Sequence, residues 1–174
     1  MIVLAQIKSL GPDDARRLRL AVTGFRAAKR RHEDARDLGS AYISMFEATM
    51  WVTAINDQLD VLYGTSYREA RDQDRYGIVV PGVRWARNRH AHQLPVTLDE
   101  DQTPFFGGGK GIISLSVGMR WRKVSELPPP DPKYRDSTGE AAYQARLEGR
   151  NSGKTLAACD LWFTELERCP SCLL

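Results

Sequence analysis

The chain has 174 residues, 42% of them hydrophobic, and sets 25 basic side chains against 22 acidic ones for a formal net charge of +3. That length and apolar content suffice for one sizeable core and require no second one, so residues 1–174 are read as a single domain. The near balance of charge excludes a surface that is basic throughout, and no apolar run approaches the roughly 18 to 20 residues that span a bilayer.

The opening residues 1–10 carry neither a basic start nor a small-residue cleavage site, which points to a cytoplasmic protein with no membrane partner. Pro12-Asp13-Asp14 then places a proline and two acids where a helix begins, and Leu18, Ala21, Val22, Phe25 and Ala28 recur at helical spacing. A first helix over 13–36 follows. Gly39 and Ser40 interrupt it, after which Tyr42, Ile43, Phe46, Met50, Ile55, Leu59 and Leu62 form a second, wide apolar stripe. Residues 64–75 are polar and charged, and read as a loop or a short helix with little to offer a core.

Pro81 suits the first turn of a third helix, and Pro95 cannot continue it. From Ile113 the pattern changes to period two, with Ile113, Leu115, Val117, Met119 and Trp121 alternating with small or polar residues. Together with the aromatic and glycine-rich stretch before it, this predicts a β-hairpin inserted at about 103–124. Pro128-Pro129-Pro130 is a stiff connector. A helix through 141–147 ending at Gly149 and another through 156–166 complete a mainly α fold, a helical bundle with a small inserted hairpin. Residues 169–174 read as a flexible, reduced tail.

Two motifs imitate chemistry without its spacing. Gly149-Arg150-Asn151-Ser152-Gly153-Lys154-Thr155 has three residues between its glycines where a phosphate-binding loop needs four, and reads instead as a helix stop followed by a cap at Asn151 or Ser152. Cys169-Pro170-Ser171-Cys172 has no second pair to complete a zinc site. The remaining cysteine is Cys159, and an odd count confined to one end fits a reducing compartment. His90 and His92, with only His32 besides, are too few for a metal centre, so neither metal nor cofactor is expected.

The stretch Arg87-Asn88-Arg89-His90-Ala91-His92 is different, because it joins arginine, amide and imidazole on one helix. Arginine offers a permanently charged fork to phosphate, and histidine titrates near neutrality and can accept or return a proton. Asn88 lies four residues before His92, at the spacing that allows it to hydrogen-bond the ring and select its tautomer. Arg87 is rotated about 140° from His92, so the two would flank a groove. Arg84, Arg89 and His90 are placed to guide a phosphate backbone. Trp85 and Trp121 read as core anchors.

Arg-Asn-x-x-x-His on a helix resembles the signature of HEPN-domain proteins, many of which are metal-independent endoribonucleases built as helical bundles that dimerise. The resemblance implies that Arg87 stabilises the charge of a phosphorane-like transition state, that His92 acts as acid or base in 2′-hydroxyl attack, and that Asn88 supports them. It also implies an RNA substrate, a homodimer and a toxin, defence or phage setting with a protein partner such as an antitoxin or a host protein. Leu94 stands where many HEPN toxins have tyrosine. The wider stretch around Trp85 and Arg87 is also similar to uncharacterised proteins of high-GC bacteria and their phages. The alternative is a non-enzymatic helical protein that binds a host or neighbouring protein through an apolar helix face.

Overall fold

The computed structural model describes residues 11–101 and 118–168. Helix α1 (Pro12–Asp34) starts at its proline, carries Asp13 and Asp14 in its positive first turn and Arg31 and His32 in its last, and buries Leu18, Val22, Phe25 and Ala28 at helical spacing. Helix α2 (Leu38–Gln73) is capped by Asp37, whose carboxylate accepts from the Ser40 backbone N–H at 2.8 Å. It lies along α1 and buries Ala41, Met45, Ala48, Val52, Ile55 and Leu59 against it. At Gly64 the backbone leaves helical geometry (φ 54°, ψ −129°), in a region open mainly to glycine, and α2 resumes in a new direction.

The expectation that residues 64–75 contribute little core is corrected here. Beyond the kink, Tyr67 and Ala70 are buried, and the Tyr67 ring packs 6.2 Å from that of Trp162. Two apolar residues three apart are enough to seal a helix face once the kink aims them inward.

Helix α3 (Val80–Gln93) follows a short 3-10 turn at Gly77–Val79, with Pro81 in its first turn as anticipated. It packs on α2 and on α4 (Ser137–Arg146). The α3–α4 approach is backbone-close: a Cβ built on Gly82 would lie 3.0 Å from Tyr143 Cα and 2.9 Å from Leu147 Cδ1. Gly82→Ala is therefore expected to cost about 1–3 kcal/mol, because α4 must shift to admit the methyl group. A urea titration showing less than a few tenths of that loss would mean the helices are not in this register.

Strands β1 (Leu98–Asp101) and β2 (Gly118–Trp121) pair antiparallel, Leu98 opposite Trp121 and Asp101 opposite Gly118. The hairpin thus opens earlier than the expected 103. β1 has a single apolar residue among acids and lacks strand character of its own; it is held by the ladder and by the ion pair of Asp99 with Arg120 at 2.9 Å. Met119 and Trp121 point inward, as their alternation requires, while Ile113, Leu115 and Val117 lie outside the described residues. The other edge of β2 meets residues 149–151, with the Trp121 N–H donating to the Arg150 carbonyl at 2.9 Å.

Helix α5 (Ser152–Arg168) begins where Asn151 Oδ1 accepts from the Lys154 N–H at 3.0 Å, so the glycine-flanked stretch is a helix stop and cap. Its buried face brings Phe163 edge-on to Phe25 at 5.2 Å and supplies Thr155 Oγ1 to the Trp121 indole N–H at 2.9 Å. Cys159 is wholly buried in that face, and burial pushes its thiol up to about 12. Cys169 and Cys172 lie outside the described residues. Among the described residues no helix is long and apolar enough to cross a membrane.

Candidate functional site

The α3 motif distributes its side chains around the helix, and each direction has its own partner. Arg84 and Arg87 turn toward α2. Arg84 pairs with Asp57 at 3.3 Å, and half-buried Arg87 sets its Nε 3.3 Å from Met50 Sδ. Arg87 Nη1 also donates to Asn88 Oδ1 at 3.0 Å. Asn88 is thus a partner of its neighbour Arg87; the hydrogen bond to the His92 ring that the spacing allows is not formed.

His92 turns outward. Its ring stacks flat on Tyr134, centroids 3.7 Å apart and planes 6° from parallel, and Tyr134 is 41% exposed. The Lys133 ammonium lies 5.3 Å from the centre of the same tyrosine ring. These residues sit on the 3-10 turn Pro132–Tyr134, which Asp131 caps by accepting from the Lys133 N–H at 2.9 Å. No contact joins Arg87 to His92, and the groove between them is not closed within one chain.

His90 and Arg89 correct the sequence reading. His90 is 0% exposed, with Nε2 2.6 Å from Thr97 Oγ1 and with the rings of Tyr42 and Phe46 against it. Burial pushes its imidazole down to about 4, so at neutral pH it is an uncharged core residue and cannot guide a phosphate at the surface. Arg89 is 4% exposed; its Nη2 donates to the Pro128 carbonyl and its guanidinium lies 5.3 Å from the Trp85 ring centre. Desolvation lowers its pKa, partly offset by the nearby Glu140. It is withdrawn from the open surface on which sequence reasoning placed it.

The chain geometry after α3 explains the split. Leu94 adopts a left-handed conformation (φ 48°, ψ 39°) that ends the helix, its N–H donating to the His90 carbonyl at 3.1 Å. The backbone reverses there, and Thr97 comes back under α3 to meet His90. Gln93 Nε2 donates to the Pro129 carbonyl at 3.0 Å, so the proline segment is tied to α3 at two points, Arg89 and Gln93.

Elsewhere several basic side chains of α1 are matched by acids. Arg26 holds Asp160 and Glu167, each at 2.8 Å, Lys29 holds Glu33 at 2.9 Å, and Arg31 pairs with Glu47. The basic side of α1 is thus in good part an ion-paired helix surface. Tyr134, Lys133 and Arg135 escaped sequence reasoning; the available signal was Asp131-Pro132 after the prolines, which marks a capped turn. Among the described residues no group of three or more His, Cys, Asp or Glu side chains could hold a metal ion.

Comparison with known proteins finds no matching family model, no matching curated protein and no matching solved structure.

Proposed function

We propose that the chain is a HEPN-like RNA-binding protein that takes single-stranded RNA on the outer end of α3 and the adjoining Pro132–Tyr134 turn. The observation that carries the reading is the His92–Tyr134 stack, two solvent-facing rings held parallel with the Lys133 ammonium beside them. Flat aromatic faces next to a cation suit unpaired bases on a phosphate backbone, with little regard to sequence. Arg84 and Arg87 on the neighbouring face of α3 are the candidates for backbone contacts. The partnering of side chains supports binding ahead of cleavage within one chain, since Asn88 serves Arg87 and His92 serves Tyr134. Cleavage would need Arg87 and His92 to meet in a cleft shared by two copies.

Binding of a fluorescent single-stranded RNA at several salt concentrations tests the reading. His92→Ala and Tyr134→Ala are each expected to weaken it about tenfold. Lys133→Ala is expected to lower the salt slope by about one. Affinity untouched by both ring substitutions would sink the proposal. The same RNA incubated with EDTA addresses catalysis: products with 2′,3′-cyclic phosphate ends, lost in Arg87→Ala and His92→Ala, would move the assignment to a HEPN-like nuclease. The alternative of a protein-binding module acting through an apolar helix face has its exposed side chains on α2, where Ile43 and Val61 are 69% and 81% exposed. It would be favoured by a folded chain that binds no RNA.

A further inference from the structure

A cavity of about 420 Å³ lies between the proline segment 127–130 and the start of α4, lined by Arg89, Arg135, Ser137 and Glu140 among others. Arg89 is the unusual member. It is 4% exposed, and its Nε and Nη1 have no hydrogen-bond partner, although a buried guanidinium left short of acceptors is costly. Among the described residues nothing supplies what these two donors lack. Glu140 lines the same cavity and lies near enough to raise the Arg89 pKa, yet the two form no ion pair. Ser137 opens α4, whose leading N–H groups have no acceptor inside the helix; Asp136 accounts for the one at Gly139, at 2.9 Å.

We propose that this cavity binds the monoanion of phosphate, free or as a monoester, with Arg89 and Arg135 donating to its oxygens and Glu140 accepting the hydrogen of its P–OH. Two guanidinium groups against one carboxylate leave a single positive charge, which a monoanion neutralises. Nη2 keeps a second hydrogen beyond the one it gives Pro128, and with Nε–H or Nη1–H that hydrogen forms the parallel fork that grips two oxygens of one anion. The carboxylate makes the site selective. Sulfate has no hydrogen to give Glu140 and would set oxygen anion against oxygen anion, and an internal phosphodiester has none either. The site therefore reads a chain end or a free phosphate and is distinct from the stacking surface proposed above; it does not depend on that reading.

The test is a titration of the full chain with inorganic phosphate near pH 6, about where a monoester dianion takes up a proton to become the monoanion, followed through the arginine Nε–Hε resonances. A saturable shift is expected, with sulfate about tenfold weaker or worse. Arg135 is exposed, so Arg135→Gln should fold and should weaken phosphate binding about tenfold. Glu140→Gln should erase most of the preference over sulfate. A second arm offers 5′-phosphorylated and 5′-hydroxyl oligoribonucleotides as competitors. Displacement by the phosphorylated form alone supports the site with an RNA end as its ligand, and displacement by neither supports it with free phosphate. No saturable shift in the folded chain overturns the proposal, as does binding that Arg135→Gln leaves unchanged. A loss of stability in Glu140→Gln without any phosphate response would instead show that Arg89 closes on Glu140.

Discussion

Acidification from pH 6.5 to about 4 is expected to remove about 3 kcal/mol of stability through His90 alone. The unfolded chain takes up a proton on this ring at its ordinary pKa of 6.5, whereas the folded chain resists until about 4, because the charged ring would sit unsolvated between Tyr42 and Phe46. Between those values the unfolded state holds more protons. Stability is therefore complete above 6.5 and falls as pH drops toward 4. His32, buried and also lowered by desolvation, acts in the same direction. The check is urea unfolding at pH 7 and pH 4.5 for the wild type and for His90→Phe combined with Thr97→Val, which removes the ring's partner hydroxyl together with the imidazole. The carboxylates common to both proteins contribute alike, so the difference isolates the ring. Equal acid sensitivity in the two would show that His90 does not stay neutral in the fold.

Trp85→Ala is expected to cost about 3–5 kcal/mol, the range for deleting a fully enclosed large aromatic side chain. Trp85 is 2% exposed and packs its ring 4.6 Å from that of Tyr143, on the α4 helix that Gly82 lets approach so closely. The Tyr143 hydroxyl in turn donates to the Arg122 carbonyl just past β2, at 2.6 Å. One side chain thus joins α3, α4 and the end of the sheet, and its loss leaves a cavity that rigid neighbours cannot refill. Trp85→Phe keeps part of the contact and should cost less. Chemical denaturation measures both, and a loss below about 1 kcal/mol in the alanine variant would contradict this packing.

Much of the helical framework was legible because its punctuation is local. Pro12, Pro81, Pro95 and Asn151 each mark a helix end by their own chemistry, and Trp85 and Trp121 took the core positions their size suggested; the break expected at Gly39 and Ser40 falls instead at residues 35–37, because Asp37 caps α2 and leaves both inside its first turn. β1 was not legible, since an acidic tetrapeptide becomes a strand only when β2 offers it a ladder. The candidate site was legible as a stretch of α3 and not as an arrangement. Helical spacing says which residues can face each other, and it made Asn88 and His92 natural partners. The actual partners, Tyr134 for His92, Thr97 for His90 and Pro128 for Arg89, come from segments whose return to α3 depends on the reversal at Leu94 and on the course of the proline segment. No periodicity carries that information.

The bend at Gly64 governs how the chain can close on itself. Run straight, the 36 residues of α2 would make a rod about 54 Å long, whereas a compact chain of this length has a radius of gyration of about 16 Å. Folded at the bend, the two arms clasp each other through residues close in sequence: the Tyr67 hydroxyl donates to Asn56 Oδ1 at 3.2 Å, Arg71 Nη1 donates to the same oxygen at 2.8 Å, and Arg68 meets Asp60 at 2.7 Å. Short loops cost little entropy to close. This hinged pair of arms can therefore assemble before any distant part of the chain arrives, and it presents to α5 a finished surface on which Trp162 docks.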